Sequence, residues 1–66
     1  MNVVVNGEPR RIDESITLVG LIRQLDLAGK RLAVEVNEEV VPRSEHPSYR
    51  LREGDRVEIV QAIGGG

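Results

Sequence analysis

SITLVGLIRQLDLAGKRLAVEVN, from Ser15 to Asn37, carries two apolar periods in succession. Leu18, Leu21, Ile22 and Leu25 fall at i, i+3, i+4 and i+7, one face of a helix. Leu32, Val34 and Val36 then alternate with Ala33, Glu35 and Asn37, as in a strand with one buried face. The spacing predicts a helix over Ser15 to Leu27 that lays its apolar stripe on a sheet. Thr17 is the expected N-cap, with Ser15 competing, because a hydroxyl there accepts from an otherwise unpaired amide. Gly20, inside the helix, costs about 1 kcal/mol relative to Ala, which close packing of the helix on a strand would explain. Gly29 is placed to end the helix in a left-handed conformation.

The flanking segments supply the remaining strands. Met1 to Asn6 reads as a strand with Met1, Val3 and Val5 on one face and Asn2, Val4 and Asn6 on the other. Asn6-Gly7 is a hairpin turn signal. A second strand follows Pro9, about Arg10 to Asp13, and Pro9 belongs at an end or edge because it has no amide donor. After Asn37, Glu38 and Glu39 turn the chain into a short strand at Val40-Val41, closed by Pro42. Ser44 is placed to cap one helical turn through His46, which Pro47 stops. Tyr49 to Leu51 is a brief extended piece, Glu53-Gly54-Asp55 a turn, and Arg56 to Ile63 the last strand, with Val57 and Ile59 inward. The fold class is α+β: a mixed sheet with one helix across one face. The first and last strands are expected side by side at its centre.

Composition narrows the functional classes. The chain has 66 residues, a formal net charge of -2, one histidine, one aromatic residue and no cysteine. We read residues 1–66 as one domain with a glycine tail at 64–66. A domain this small buries about 60% of its unfolded surface, and with no disulfide available its aliphatic core must hold it together. The absence of cysteine fits a reducing compartment. No signal peptide and no membrane span are legible, so a cytoplasmic protein, monomeric when free, is expected. Interleaved charges and the lack of Trp and Phe argue against a nucleic-acid partner.

The side chains offer little reactive chemistry. His46 has no companion at metal-ligand spacing, so no metal is expected, and it reads as a solvated loop residue. Glu38-Glu39 read as solvated turn charges, and Arg43, Arg50, Arg52 and Arg56 as a mixed-charge surface. The end, Ile63-Gly64-Gly65-Gly66, stands apart. Three residues without Cβ can enter a channel closed to other side chains. Four residues from Ile63 reach at most about 14 Å, enough to put a terminal carboxylate into another protein's active site. The alternative is a frayed chain end. A carboxylate must be activated before a nucleophile can displace one of its oxygens, and no phosphate-binding loop is present, so activation falls to another protein. Val4, Ala33, Val60 and Ala62 sit at outward positions of the sheet and, with Ile63 next along the chain, make a candidate docking patch. The bland alternative is that valine favours strands.

The run Val34-Glu35-Val36-Asn37-Glu38-Glu39-Val40-Val41-Pro42-Arg43, the run Gly54-Asp55-Arg56-Val57-Glu58-Ile59-Val60 and the Gly64-Gly65-Gly66 end resemble the thiamine-biosynthesis sulfur carriers of the ThiS family. The helix positions Leu18, Leu21, Ile22 and Leu25 match as well. The resemblance implies a ubiquitin-like β-grasp fold. It implies that an ATP-dependent activating enzyme adenylates the Gly66 carboxylate, with Gly64 and Gly65 completing the tail that enters the partner. Sulfur from a cysteine desulfurase route then makes a thiocarboxylate, which thiazole synthase consumes. ATP would be bound by the partner, with no cofactor on this chain and no catalytic side chain. One departure is Glu38, where many members have glycine; Asn37 is expected to take the positive φ instead.

Two rivals remain at this stage. The small subunit of molybdopterin synthase uses the same thiocarboxylate chemistry, but its chains tend to be longer and to carry proline before the glycines, where this chain has Gln61-Ala62-Ile63. A ubiquitin-like binding module with an inert tail is the rival of a different class.

Overall fold

The computed structural model describes residues 1–62. Five strands form one sheet: β1 (Asn2–Val5), β2 (Glu8–Arg11), β3 (Leu32–Val36), β4 (Glu39–Val40) and β5 (Arg56–Gln61), in the spatial order β2-β1-β5-β3-β4. β1 and β5 are parallel, and every other pairing is antiparallel. The one α-helix among the described residues, α1 (Leu18–Gln24), buries Leu18, Leu21 and Ile22 against one face. This is the expected mixed α+β sheet, with β1 and β5 adjacent.

The core follows from strand alternation. Val3 and Val5 of β1, Val34 and Val36 of β3, and Val57 and Ile59 of β5 point to the helix side and are buried. Ile12, Val41 and Leu51 close its margins. Fully burying such a side chain contributes about 1.5–3 kcal/mol, which is why an aliphatic set with one aromatic residue suffices.

Both hairpins turn in two residues. Asn6 and Gly7 have φ of 50° and 83° between the paired residues Val5 and Glu8. Asn37 and Glu38 have φ of 52° and 70° between Val36 and Glu39. Two successive positive φ values define the turn whose twist matches the flanking strands. Asn37 takes the positive φ as expected, but Glu38 takes one too, so the turn holds a non-glycine residue where glycine costs least.

Several local expectations are corrected. β2 begins at Glu8 and contains Pro9, which the sheet tolerates because β2 is an edge strand. The helix is shorter than its periodicity suggests, since Ser15 and Ile16 precede the Thr17 cap. It also ends before Gly29. The Leu27 amide donates to the Ile22 carbonyl at 3.0 Å and the Asp26 amide to Arg23 at 3.0 Å, with Asp26 at φ 60°. That is a Schellman end with aspartate in the left-handed position. Gly29, at φ 83°, serves the next turn instead, where Lys30 donates to Leu27. Gly20 does not face a strand: a Cβ built there would lie 2.8 Å from Ile16 Cγ1. The last strand ends at Gln61, and Ile63 lies outside the described residues.

The segment from Arg43 to Leu51 docks on the start of α1. Thr17 Oγ1 accepts from the Gly20 amide at 3.2 Å, while Leu18 and Val19 donate to the carbonyls of Tyr49 and His46 at 3.0 and 3.3 Å. The first-turn amides, which a helix cannot satisfy itself, are thus paired from outside. Ser44 caps nothing: a 3-10 turn spans Arg43–Glu45 with no side-chain cap bond. His46, expected in solvent, is 5% exposed, and its Nε2–H donates to the Val41 carbonyl at 3.0 Å.

Candidate functional site

β5 decides where the glycine end emerges. It occupies the middle of the sheet and is held on both sides, by the β1 ladder near its start and by β3 along its length. Gln61 is paired with Leu32, and the Ala62 amide donates to the Arg31 carbonyl at 2.9 Å. The chain is therefore hydrogen-bonded to its neighbour through Ala62. Gly64, Gly65 and Gly66 lie outside the described residues.

Two asparagines fix this strand in ways periodicity could not show. The Asn6 side chain donates through Nδ2 to the Ile59 carbonyl at 3.2 Å and accepts at Oδ1 from the Ile59 amide at 2.8 Å. Asn37 Oδ1 accepts from the Arg56 amide at 3.0 Å, while its Nδ2 donates to Asp55 Oδ1 at 3.0 Å. Asp55, 9% exposed, accepts through Oδ2 from the Arg52 amide at 2.8 Å. A buried carboxylate is tolerated when its oxygens are hydrogen-bonded. The signal available in the sequence is an Asn at each hairpin, a residue whose backbone freedom alone already suits the turn.

The outer face of the sheet carries the candidate patch. Val60 is 61% exposed and sits opposite Ala33, which is also exposed, as is Ala62. Val40 is 71% exposed and lies across β3 from Glu35. Glu35 in turn lies opposite Glu58, so two carboxylates face each other beside the apolar residues. Like charges directly opposite are unfavourable in a sheet. Val4, half-buried, pairs with Arg56 and is separated from Val60 by Glu58. A shallow groove of about 200 Å³ between Val4, Gly7, Glu38, Arg56 and Glu58 lies at that end of the face. Val60, Ala33 and Ala62 thus gather beside the tail exit, and Val4 stands apart from them.

Among the described residues no group of three His, Cys, Asp or Glu side chains could hold a metal ion. No helix there is long and apolar enough to cross a membrane.

The family model of the ThiS family matches residues 3–66, through the glycine end. The chain belongs to the ThiS family. The sulfur carrier protein ThiS of Thermus thermophilus is 41% identical over 64 residues, covering 97% of this chain and 98% of its own. The crystal structure of the thiamine biosynthesis protein ThiS from Geobacter metallireducens matches with a TM-score of 0.84 and 36% identity over the whole of both chains. The ubiquitin-like β-grasp expected of a ThiS-family chain is therefore the fold observed. A relative named thiazole synthase, from Paramagnetospirillum magneticum, is 41% identical over 66 residues, and this ThiS-family chain spans 20% of its length. A second thiazole synthase, from Magnetococcus marinus, is matched in the same proportion.

Proposed function

We propose that this chain is a sulfur carrier of thiamine biosynthesis, acted on by enzymes and not itself one. The observation that carries the reading is the family match across the fold and through Gly66, together with the end-to-end likeness to a named sulfur carrier. The Gly66 carboxylate attacks the α-phosphorus of ATP on an activating enzyme and releases pyrophosphate. A persulfide from a cysteine desulfurase route then displaces AMP, which leaves with one carboxylate oxygen, and a thiol reductant cleaves the S–S bond of the acyl disulfide so formed. The resulting thiocarboxylate is the sulfur source for the thiazole ring.

The acceptor in this reading is thiazole synthase. Its support is that a segment like this whole chain occurs within polypeptides bearing that name. Val60, Ala33 and Ala62, with Ile63, form the docking surface beside the tail. The facing Glu35 and Glu58 make a partner bearing Lys or Arg the complementary one, since such a cation relieves their repulsion. Val4 contributes at the margin.

Intact-mass analysis tests the reading. After incubation with the activating enzyme, ATP and a sulfur donor, the chain should gain one sulfur in place of one oxygen. An unchanged mass overturns the carrier assignment. Copurification with thiazole synthase, as against the large subunit of molybdopterin synthase, separates the two carrier pathways.

A further inference from the structure

On the helix side of the sheet, away from the outer face, a cleft of about 260 Å³ opens between the end of α1 and the 3-10 turn. Its floor is apolar, from Ile22, Leu27 and Leu32, and its rim carries Arg23, Lys30 and Arg43. No carboxylate is among the residues lining it. None of the three cationic side chains is hydrogen-bonded within the described residues. His46 lines the same cleft and is 95% buried by its 5% exposure. Its Nε2–H is committed to the Val41 carbonyl, and Nδ1 has no partner among the described residues and is not sealed from solvent.

We propose that this cleft binds a small phosphate-type oxyanion. Three cations, from α1, the turn after it and the 3-10 turn, line one concavity, and a cleft lined by one sign of charge raises the local concentration of anions. Arg supplies a planar fork of donors and Lys a mobile point charge, the combination suited to a tetrahedral oxyanion. The volume lies below the roughly 300–1,000 Å³ of sites for drug-sized ligands, so the ligand is an anionic group and not a large apolar molecule. The phosphate is either free or the terminal group of a nucleotide.

The test is an amide chemical-shift titration of the folded chain with inorganic phosphate at constant ionic strength, sodium chloride being the balancing salt. Saturable shifts grouped at Ala28, Gly29, Lys30, Arg43 and His46 are expected, with affinity in the millimolar range. The double variant Lys30→Gln/Arg43→Gln changes two exposed side chains and should keep the fold while weakening phosphate at least tenfold. Arg10→Gln/Arg11→Gln on β2 should leave it unchanged. A parallel titration with ATP assigns the source: tighter binding means a nucleotide's phosphate end, and affinity no higher means a free oxyanion. Linear shifts that never saturate, or binding that survives the double variant, overturn the site. Either failure leaves the carrier reading intact, because the mass assay reads the chain terminus.

Discussion

Asn6 extends the β1–β5 pairing with its side chain, its amide group exchanging two hydrogen bonds with the backbone of Ile59 at 2.8 and 3.2 Å. It continues, through a side chain, the parallel ladder that the backbone makes as Asn6 donates to Val57 at 2.8 Å. Each such bond contributes about 0.5–1.5 kcal/mol net, and Asn also tolerates the φ of 50° found here. Asn6→Ala should therefore destabilise the protein by about 2 kcal/mol. Urea unfolding should show a lower midpoint with an unchanged slope.

Glu38 occupies the second position of a turn that favours glycine, at φ 70°. Its exposed side chain makes no hydrogen bond among the described residues. Glu38→Gly should stabilise the fold by about 0.5–1 kcal/mol. In a domain of this size that is a rise of roughly 2 to 8 °C in Tm, measurable by a thermal melt.

Gly20→Ala tests the opposite case. Helix propensity alone predicts a gain of about 1 kcal/mol. A Cβ 2.8 Å from Ile16 Cγ1 forces that β-branched side chain to move, and Ile16 packs against the core. The expected outcome is no gain, or a loss, in the unfolding midpoint.

His46→Leu keeps an apolar body in the buried site and removes the donor to the Val41 carbonyl. A buried acceptor left without its partner costs about 1–3 kcal/mol. Thermal unfolding should move down accordingly.

Val60→Asp changes a side chain that is 61% exposed on the outer face. Stability should shift by no more than about 0.5 kcal/mol. Affinity for the activating enzyme should fall about tenfold or more, because the apolar contact of Val60 is lost and a carboxylate must be desolvated in its place on docking. Equal affinity of the variant and the parent in a calorimetric titration removes the patch from the docking surface.

The elements were legible wherever one face is buried. The 3.6 period of Leu18, Leu21 and Ile22 and the alternation of Val34 and Val36 report the core directly, and both survive in the structure. The Asn6-Gly7 turn was legible for the same local reason. What escaped depends on specific hydrogen-bond partners that no apolar period reports. His46 and Asp55 look like solvent residues until Val41, Asn37 and the Arg52 amide are brought to them. The helix end at Asp26 escaped because glycine is the stronger signal for that position and Gly29 lay close by. On the outer face, composition identified Val60 and Ala33 but not their register, which sets them opposite each other and leaves Val4 beside Arg56.

The central place of β5 has a consequence for how the protein comes into being. β1 and β2 form one local hairpin and β3 and β4 another, and the two are joined in the sheet through β5 alone. During synthesis, then, neither hairpin can find its neighbour until residue 61 has been added. An interrupted chain would expose two bare sheet edges, the feature that invites aggregation and proteolysis. Gln61 pairs with Leu32, so the sheet closes only once the strand that leads into the glycine run has been made.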